Sequence, residues 1–173
     1  EAQRFAAPYN AIMRYRRSNV AGATYFFTVN LANRDKRLLV EHMDALREAV
    51  RIVRQVHPFQ IEAIVVLPDH LHALWTLPPQ DADFPLRWAL IKAAFSRKLP
   101  RLEQVRGSRL KKRERGIWQR RYWEHRIRDD EDWARHVDYI HFNPVKHGHV
   151  QRPAVEIPAA GRHRPDDQRV PPQ

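Results

Sequence analysis

Residues 59–77 read FQIEAIVVLPDHLHALWTL, and the topology follows from the pattern in this stretch. Residues 59–67 are rich in isoleucine and valine, which is typical of a β-strand. Pro68-Asp69 is a turn signal, and a further strand is predicted at 71–77. Two strands joined by so short a turn are expected to pair as an antiparallel hairpin.

The sequence on either side of this hairpin predicts the remaining elements. Aromatic and β-branched residues predict strands, and apolar residues spaced three and four apart predict helices. These are a strand at 24–29, a helix at 39–56, a helix at 86–99, a strand or extended segment at 118–127, and a helix that starts at Asp129 or Asp130 and stops at Asn143-Pro144. This order favours an α+β fold of the ferredoxin-like (RRM-like) type, an antiparallel sheet with helices on its faces.

The composition divides the chain into three parts. We expect a basic segment at 1–20, one folded domain at 21–150, and a flexible, proline-rich tail at 151–173. The absence of cysteine fits a reducing cytosol. No apolar run long enough for a membrane span or a signal peptide is present, so we expect a cytoplasmic protein with no membrane partner.

Positive charge is concentrated in one part of the chain. The net charge is +11, and residues 87–128 alone hold 15 basic and 3 acidic side chains, a local net charge of +12. A concentrated basic stretch is the electrostatic footprint of a partner with a phosphate backbone. A solvated basic surface or a membrane-surface patch is the alternative. The basic stretch 101–116 is expected to be a flexible loop.

His70 and His72 form the first candidate site. Residues two apart on a strand point to the same face, so both imidazoles project together while Leu71 points into the core. Two imidazoles suit Zn, Mn, Co or Ni, and they tolerate Mg when oxygen ligands complete the shell. A third ligand must come from elsewhere in the chain. The alternative is a pair of surface or hydrogen-bonded histidines.

Tyr139 and Asn143 form the second candidate site. They lie four apart on the last predicted helix and therefore share a face. That face is off the apolar stripe of the helix and includes His136; the stripe consists of Trp133, Val137 and Ile140. A tyrosine phenolate can attack phosphorus, and an amide oxygen can complete a metal site. The alternative is a half-buried tyrosine followed by a helix cap.

Residues 118–126, which read WQRRYWEHR, form the third candidate site. Aromatic rings interleaved with arginines can stack bases while guanidinium groups hold phosphates, so Trp118, Arg120 and Arg121 are candidate DNA contacts. The tryptophans could instead belong to the core. No Walker loop, nucleophile elbow or HExxH motif is present, which excludes the commonest ATPases, hydrolases and metalloproteases.

Three of these motifs together resemble a known family. The motif PDHLH at 68–72 resembles the histidine-hydrophobe-histidine strand of HUH single-strand nucleases. The motifs WQRRYWEH at 118–125 and DYIHFNPVKHG at 138–148 are similar to those of the REP-associated tyrosine transposases, relatives of the single-tyrosine insertion-sequence transposases. The resemblance extends from about residue 15 to residue 150.

The resemblance implies a role for each candidate residue. His70, His72 and Asn143 would hold Mg or Mn, and Tyr139 would be the nucleophile that forms a 5′-phosphotyrosine link to single-stranded DNA. The substrate would be a hairpin from a repetitive extragenic palindrome (REP) with a short tag at its foot, bound in the nucleoid. Further DNA contacts would come from a basic N-terminal cluster and the last motif, namely Arg14, Arg16, Arg17 and Lys146. The resemblance favours a monomer over a dimer.

Two other functions remain compatible with the sequence. One is a non-catalytic module that binds nucleic-acid hairpins, because a ferredoxin-like sheet with exposed aromatics is also used by RNA-recognition domains. The other is a metal-dependent hydrolase that activates water with a base such as His136.

Overall fold

The protein folds around one four-stranded antiparallel sheet. The computed structural model describes residues 19–101 and 115–146. Its strands are β1 (Thr24–Asn30), β2 (Gln60–Val66), β3 (His70–Thr76) and β4 (Trp123–Arg126), in the order β2-β3-β1-β4. Its helices are α1 (Leu38–Glu41), α2 (Met43–Val56), α3 (Phe84–Lys98) and α4 (Asp130–Lys146). The predicted ferredoxin-like α+β fold is confirmed.

The hairpin between β2 and β3 forms as its sequence predicts. The backbone N–H of Leu67 donates to the carbonyl of His70 at 2.8 Å, which closes the turn at Pro68-Asp69. Val65 lies opposite His72 in the register. The strand β3 begins at His70, one residue earlier than predicted, so both histidines lie within the regular ladder.

The large core lies on one face of the sheet. Side chains from alternate positions of β1 and β3 pack there against α1, α2 and α3, and Leu71 is among them as predicted. The rings of Trp75 and Trp88 stack with centroids 4.1 Å apart, which joins β3 to α3. Burial of large apolar and aromatic side chains is the main stabilising contribution to such a fold.

The opposite face carries α4 on a much smaller apolar cluster. Phe26, Ala63, Leu74 and Ile140 are its buried members, and Trp133 and Val137 of the predicted stripe pack against them. Asp129 caps the helix as predicted, because its carboxylate accepts from the backbone N–H of Asp132 at 2.7 Å. Since this cluster is small, polar contacts also fix α4 on the sheet.

The three predicted helices differ from the structure in their bounds. The helix predicted at 39–56 is divided at His42 into α1 and α2. The helix predicted at 86–99 begins two residues earlier, at Phe84, where the carboxylate of Asp83 accepts from the N–H of Leu86 at 3.0 Å. The last helix does not stop at Asn143-Pro144 but continues to Lys146. A proline this near a helix end removes only one backbone hydrogen bond, the one that an N–H at position 144 would donate to the carbonyl of Ile140.

The segment predicted at 118–127 is a strand only from Trp123 to Arg126. Trp118 forms an isolated bridge to Leu31, and the residues between pass over the core. Within the described residues, no helix combines the length and apolar content needed to span a bilayer. The predicted basic segment at 1–20, the loop at 101–116 and the tail at 151–173 lie almost wholly outside the described residues.

Candidate metal and nucleophile site

His70 and His72 project from β3 on the face that carries α4. Their ring centroids are 5.0 Å apart, and the residues are 8% and 3% exposed. The prediction that both imidazoles share a face is therefore confirmed. Of the alternative, two surface or hydrogen-bonded histidines, the surface half is wrong because both side chains are buried, whereas both rings are hydrogen-bonded.

Thr28 orients the ring of His72. Thr28 lies opposite His72 in the register of β1 and β3, and its Oγ1 is 2.9 Å from His72 Nδ1. A hydrogen bond at one ring nitrogen fixes the orientation of a metal-binding histidine and presents the other nitrogen to the metal. The nitrogen that could coordinate a metal ion is therefore His72 Nε2.

Asp69 orients the ring of His70 in the same way. Its Oδ1 is 2.8 Å from His70 Nδ1, and its other oxygen is paired with the guanidinium of Arg34. Partial burial acts to raise the pKa of Asp69, but the hydrogen bonds from His70 and Arg34 outweigh it and hold that pKa below its ordinary value. The carboxylate therefore stays ionised and keeps the imidazole oriented.

Tyr139 lies on α4 beside the histidine pair. Its ring centroid is 5.0 Å from that of His72, with the planes at 79°, and 5.8 Å from that of Phe26. The side chain is 41% exposed, so the ring is held on one side and reaches solvent on the other. The predicted nucleophile Tyr139 and the predicted histidine pair therefore lie next to each other.

Asn143 lies one helical turn after Tyr139 and is only 1% exposed. The sequence places Asn143 off the apolar stripe of the helix, from which we expect a side chain outside the core; this expectation is wrong, because the side chain is buried. The helix-cap alternative fails too, because α4 continues past this residue. In the part of the chain that the structure describes, neither Oδ1 nor Nδ2 of Asn143 has a hydrogen-bond partner. A buried amide without a hydrogen-bond partner destabilises the fold, and a metal ion bound to the amide oxygen would remove part of that cost. Asn143 is therefore a suitable metal ligand.

By residue type, two imidazoles and one amide oxygen are donors that suit a divalent cation. Such a set leaves positions for water or phosphate oxygens, which Mg and Mn favour. The fit rests on the buried histidines His70 and His72 and on the unpartnered amide of Asn143.

A second cluster contains Asp132, which the sequence analysis did not single out. His125, Asp132 and His136 have the residue types and the spacing of a metal-binding group, with one ligand atom of each within 4.8 Å of the others. Asp132 is 1% exposed and accepts from His125 Nε2 at 2.8 Å. Only His136 had been placed near the predicted site, and the i, i+4 spacing of Asp132 and His136 was the available signal.

Two arginines also bind this carboxylate. Asp132 accepts from the backbone N–H and the Nε of Arg128, both at 3.1 Å, and from Arg135 at 3.2 Å. Burial acts to raise the pKa of Asp132, but the hydrogen bonds from His125, Arg128 and Arg135 hold it far below its ordinary value. The ring of His136 in turn lies 4.7 Å from that of Phe26. Because His125 lies on β4 and Asp132 lies on α4, the hydrogen bond between them connects β4 to the helix that carries Tyr139.

The predicted DNA contacts fall into three groups. Arg120 and Arg121 are exposed. Trp118 is only 7% exposed and packs edge-on against Phe95, so its assignment to base stacking is corrected to a core role. The N-terminal candidates and one side chain of α4 lie outside what the structure describes; these are Arg14, Arg16, Arg17 and Lys146.

Comparisons with known proteins agree on one family. No family model matches the chain. The chain is 47% identical over 138 residues to a putative REP-associated tyrosine transposase of Haemophilus influenzae, covering 79% of this chain and 78% of the relative. It is equally identical, over 138 residues, to the REP-associated tyrosine transposase of Escherichia coli, covering 80% of this chain and 76% of that protein. A solved structure of a REP-associated tyrosine transposase bound to a REP hairpin matches with a TM-score of 0.68 and 45% identity, covering 81% of this chain and 77% of that one.

Proposed function

The chain belongs to the REP-associated tyrosine transposases, and from that membership we propose that it cleaves single-stranded DNA beside REP hairpins through a covalent bond to Tyr139. The observation that carries the proposal is the position of Tyr139. Its ring is partly exposed and lies 5.0 Å from that of His72, one helical turn from the buried amide of Asn143. The proposed nucleophile therefore lies beside one candidate metal ligand, His72, and one turn along the same helix from another, Asn143.

The proposed reaction is a transesterification. The phenol oxygen of Tyr139 attacks phosphorus, the bond from phosphorus to the 3′ oxygen breaks, and the proton lost by the phenol is balanced by the one gained by the new 3′-hydroxyl. The 5′-phosphate remains on Tyr139 as a phosphodiester. Attack by a 3′-hydroxyl on this link reverses the step and joins two strands without any external energy source.

His70, His72 and Asn143 would hold the divalent ion, which we propose to be Mg or Mn. When bound, the ion supplies positive charge that neutralises the phosphate oxygens. The protein contributes the fixed geometry, because Thr28 and Asp69 orient the two imidazoles and α4 holds Tyr139 over His72.

The exposed Arg120 and Arg121 are proposed to contact the DNA backbone. We extend the same role to Arg14, Arg16, Arg17 and Lys146 on the basis of the sequence alone. A DNA substrate of this kind implies action in the cytoplasm, at the nucleoid.

The reaction can be tested with a labelled DNA hairpin that carries a single-stranded foot. Incubation with Mg or Mn is expected to give a protein–DNA adduct that survives denaturation, and Tyr139→Phe is expected to abolish it. Tyr122→Phe is the matched control, because Tyr122 packs against the core on the other face of the sheet. An unchanged adduct in Tyr139→Phe would contradict the proposal. Cleavage without any adduct would support the hydrolase, and binding without cleavage would support the binding module.

A further inference from the structure

Trp123 is a large apolar side chain left exposed on the site face of the sheet. It lies on the edge strand β4 and is 51% exposed. In the register it lies opposite Thr28, and Thr28 lies opposite His72 on its other side. Adjacent strands are about 4.8 Å apart, so Trp123 lies roughly 10 Å from the metal-binding strand, in the same row as His72.

Other rings hold the indole in place. The ring of His125 is nearly parallel to it, at 4° with centroids 5.8 Å apart, and Phe26 meets it edge-on at 5.8 Å. Phe26 also contacts the ring of Tyr139 at 5.8 Å. The indole and the phenol therefore rest on one buried ring, and their centres lie within about 12 Å of each other.

Exposed arginines lie close to Trp123 along the chain. Arg120 and Arg121 precede it by three and two residues, and both are exposed. An exposed aromatic ring beside guanidinium groups is how proteins bind unpaired nucleotides, since the ring stacks on a base while the cations attract the phosphates. The positive charge beside the ring favours a phosphate-bearing partner over an apolar protein surface.

We propose that Trp123 is the stacking platform for one unpaired base of the DNA foot, close to the phosphodiester that Tyr139 attacks. This inference rests on the proposed function and adds a binding subsite to it. Because the two rings lie no more than about 12 Å apart, the stacked base would belong to a nucleotide close to the cleaved phosphodiester. Stacking at Trp123 would hold the strand in register and so place one particular phosphate over Tyr139.

The test measures stacking separately from cleavage. A hairpin whose single-stranded foot carries 2-aminopurine at one position at a time is titrated into Tyr139→Phe, which binds without cutting. We expect quenching of the fluorescence at one position and loss of that quenching when Trp123→Ala is added. The affinity should fall by about 5- to 150-fold in the alanine variant. Trp123→Phe, which keeps a ring, should retain part of both signals.

A hairpin that lacks the base at that position provides the decisive comparison. The abasic hairpin should bind more weakly than the intact one to the protein with Trp123, and equally to Trp123→Ala. An equal loss in both proteins, or unchanged affinity of Trp123→Ala, would overturn the subsite. If Trp123→Ala does not fold, Trp123→Leu, which fills more of the space but has no flat ring, takes its place in the same comparison. Failure of the protein to bind any hairpin would instead overturn the proposed function itself, and the subsite with it.

Discussion

Thr28 is a small residue on which the geometry of the site depends. Its hydroxyl lies 2.9 Å from Nδ1 of His72 and so sets the direction in which Nε2 points. An imidazole without this contact could rotate about its χ2 bond and would present its nitrogen to the metal only part of the time. Hydrogen bonds to metal-binding histidines typically contribute 10- to 100-fold to metal affinity.

Replacement of Thr28 by valine removes this hydrogen bond with little change in shape. We expect the Mn concentration needed for half-maximal adduct formation to rise by about 10- to 100-fold, because the His72 ring is no longer held. Thr24→Val is the matched control: Thr24 lies on the same strand and bonds to Thr76, at 2.8 Å, away from the site. If both variants need the same Mn concentration as the unmodified protein, Thr28 does not orient a metal ligand.

The alternation of side chains along a strand is enough to place His70 and His72 on one face of the sheet, and helical spacing is enough to place Tyr139 and Asn143 on one face of α4. They could not identify Thr28, because its partner is 44 residues away and the pairing depends on the register of β1 against β3. They also could not show that Asn143 is buried, since that depends on how α4 lies on the sheet. Trp118 was misassigned for the same reason, because the core that covers it is formed by α3.

The helix α4 is held on the sheet by polar as well as apolar contacts. Its apolar cluster is small, and the buried Asp132 near its start joins it to His125 of β4. The periodicity of the sequence predicted that α4 and the hairpin exist and which apolar residues they bury. It did not predict the break at His42 or that β4 covers only Trp123–Arg126.

Asp132→Asn is expected to destabilise the protein by about 1–3 kcal/mol at pH 7, because a neutral amide at this buried position accepts more weakly from His125, Arg128 and Arg135 than the carboxylate does. The pKa of Asp132 is lowered in the folded state, so its ionisation stabilises the fold at pH values above the ordinary value of about 3.9. This stabilisation is lost as the pH falls below that value. Denaturant unfolding of both proteins at several pH values should therefore give a difference that shrinks below about pH 4.

The matched control for Asp132→Asn is Glu131→Gln. Glu131 pairs with the same Arg135, at 2.7 Å, but its side chain is 84% exposed. An exposed pair contributes only up to about 1 kcal/mol, so this variant should unfold nearly as the unmodified protein does. A stability difference between Asp132→Asn and the unmodified protein that persists unchanged at pH 3 would contradict the proposed role of the ionised carboxylate.

At the scale of the whole molecule, the question is which chain supplies Tyr139 to a given histidine pair. The rings of Tyr139 and His72 lie 5.0 Å apart on α4 and β3 of one chain. We therefore predict that one chain supplies both groups. The sequence could only suggest this through family resemblance, because spacing along a chain does not say which copy supplies a helix.

Mixing two inactive variants distinguishes a one-chain site from a shared one. His72→Ala and Tyr139→Phe are each expected to form no adduct, and their mixture should stay inactive because each chain lacks one essential group. The mixture is incubated until any dimers have exchanged subunits and is then assayed with the labelled hairpin. Adduct formation by the mixture would show that Tyr139 of one chain acts with His72 of another.

The identity of the nucleophile is best tested by finding which residue carries the DNA. The adduct formed in Mg or Mn is digested with trypsin and nuclease, and the modified peptide is sequenced by mass spectrometry. We expect a nucleotide phosphate on the tryptic peptide 136–146, attached to Tyr139. The chain has five tyrosines, and attachment to any of the other four, or to a residue of another type, would contradict the proposed mechanism.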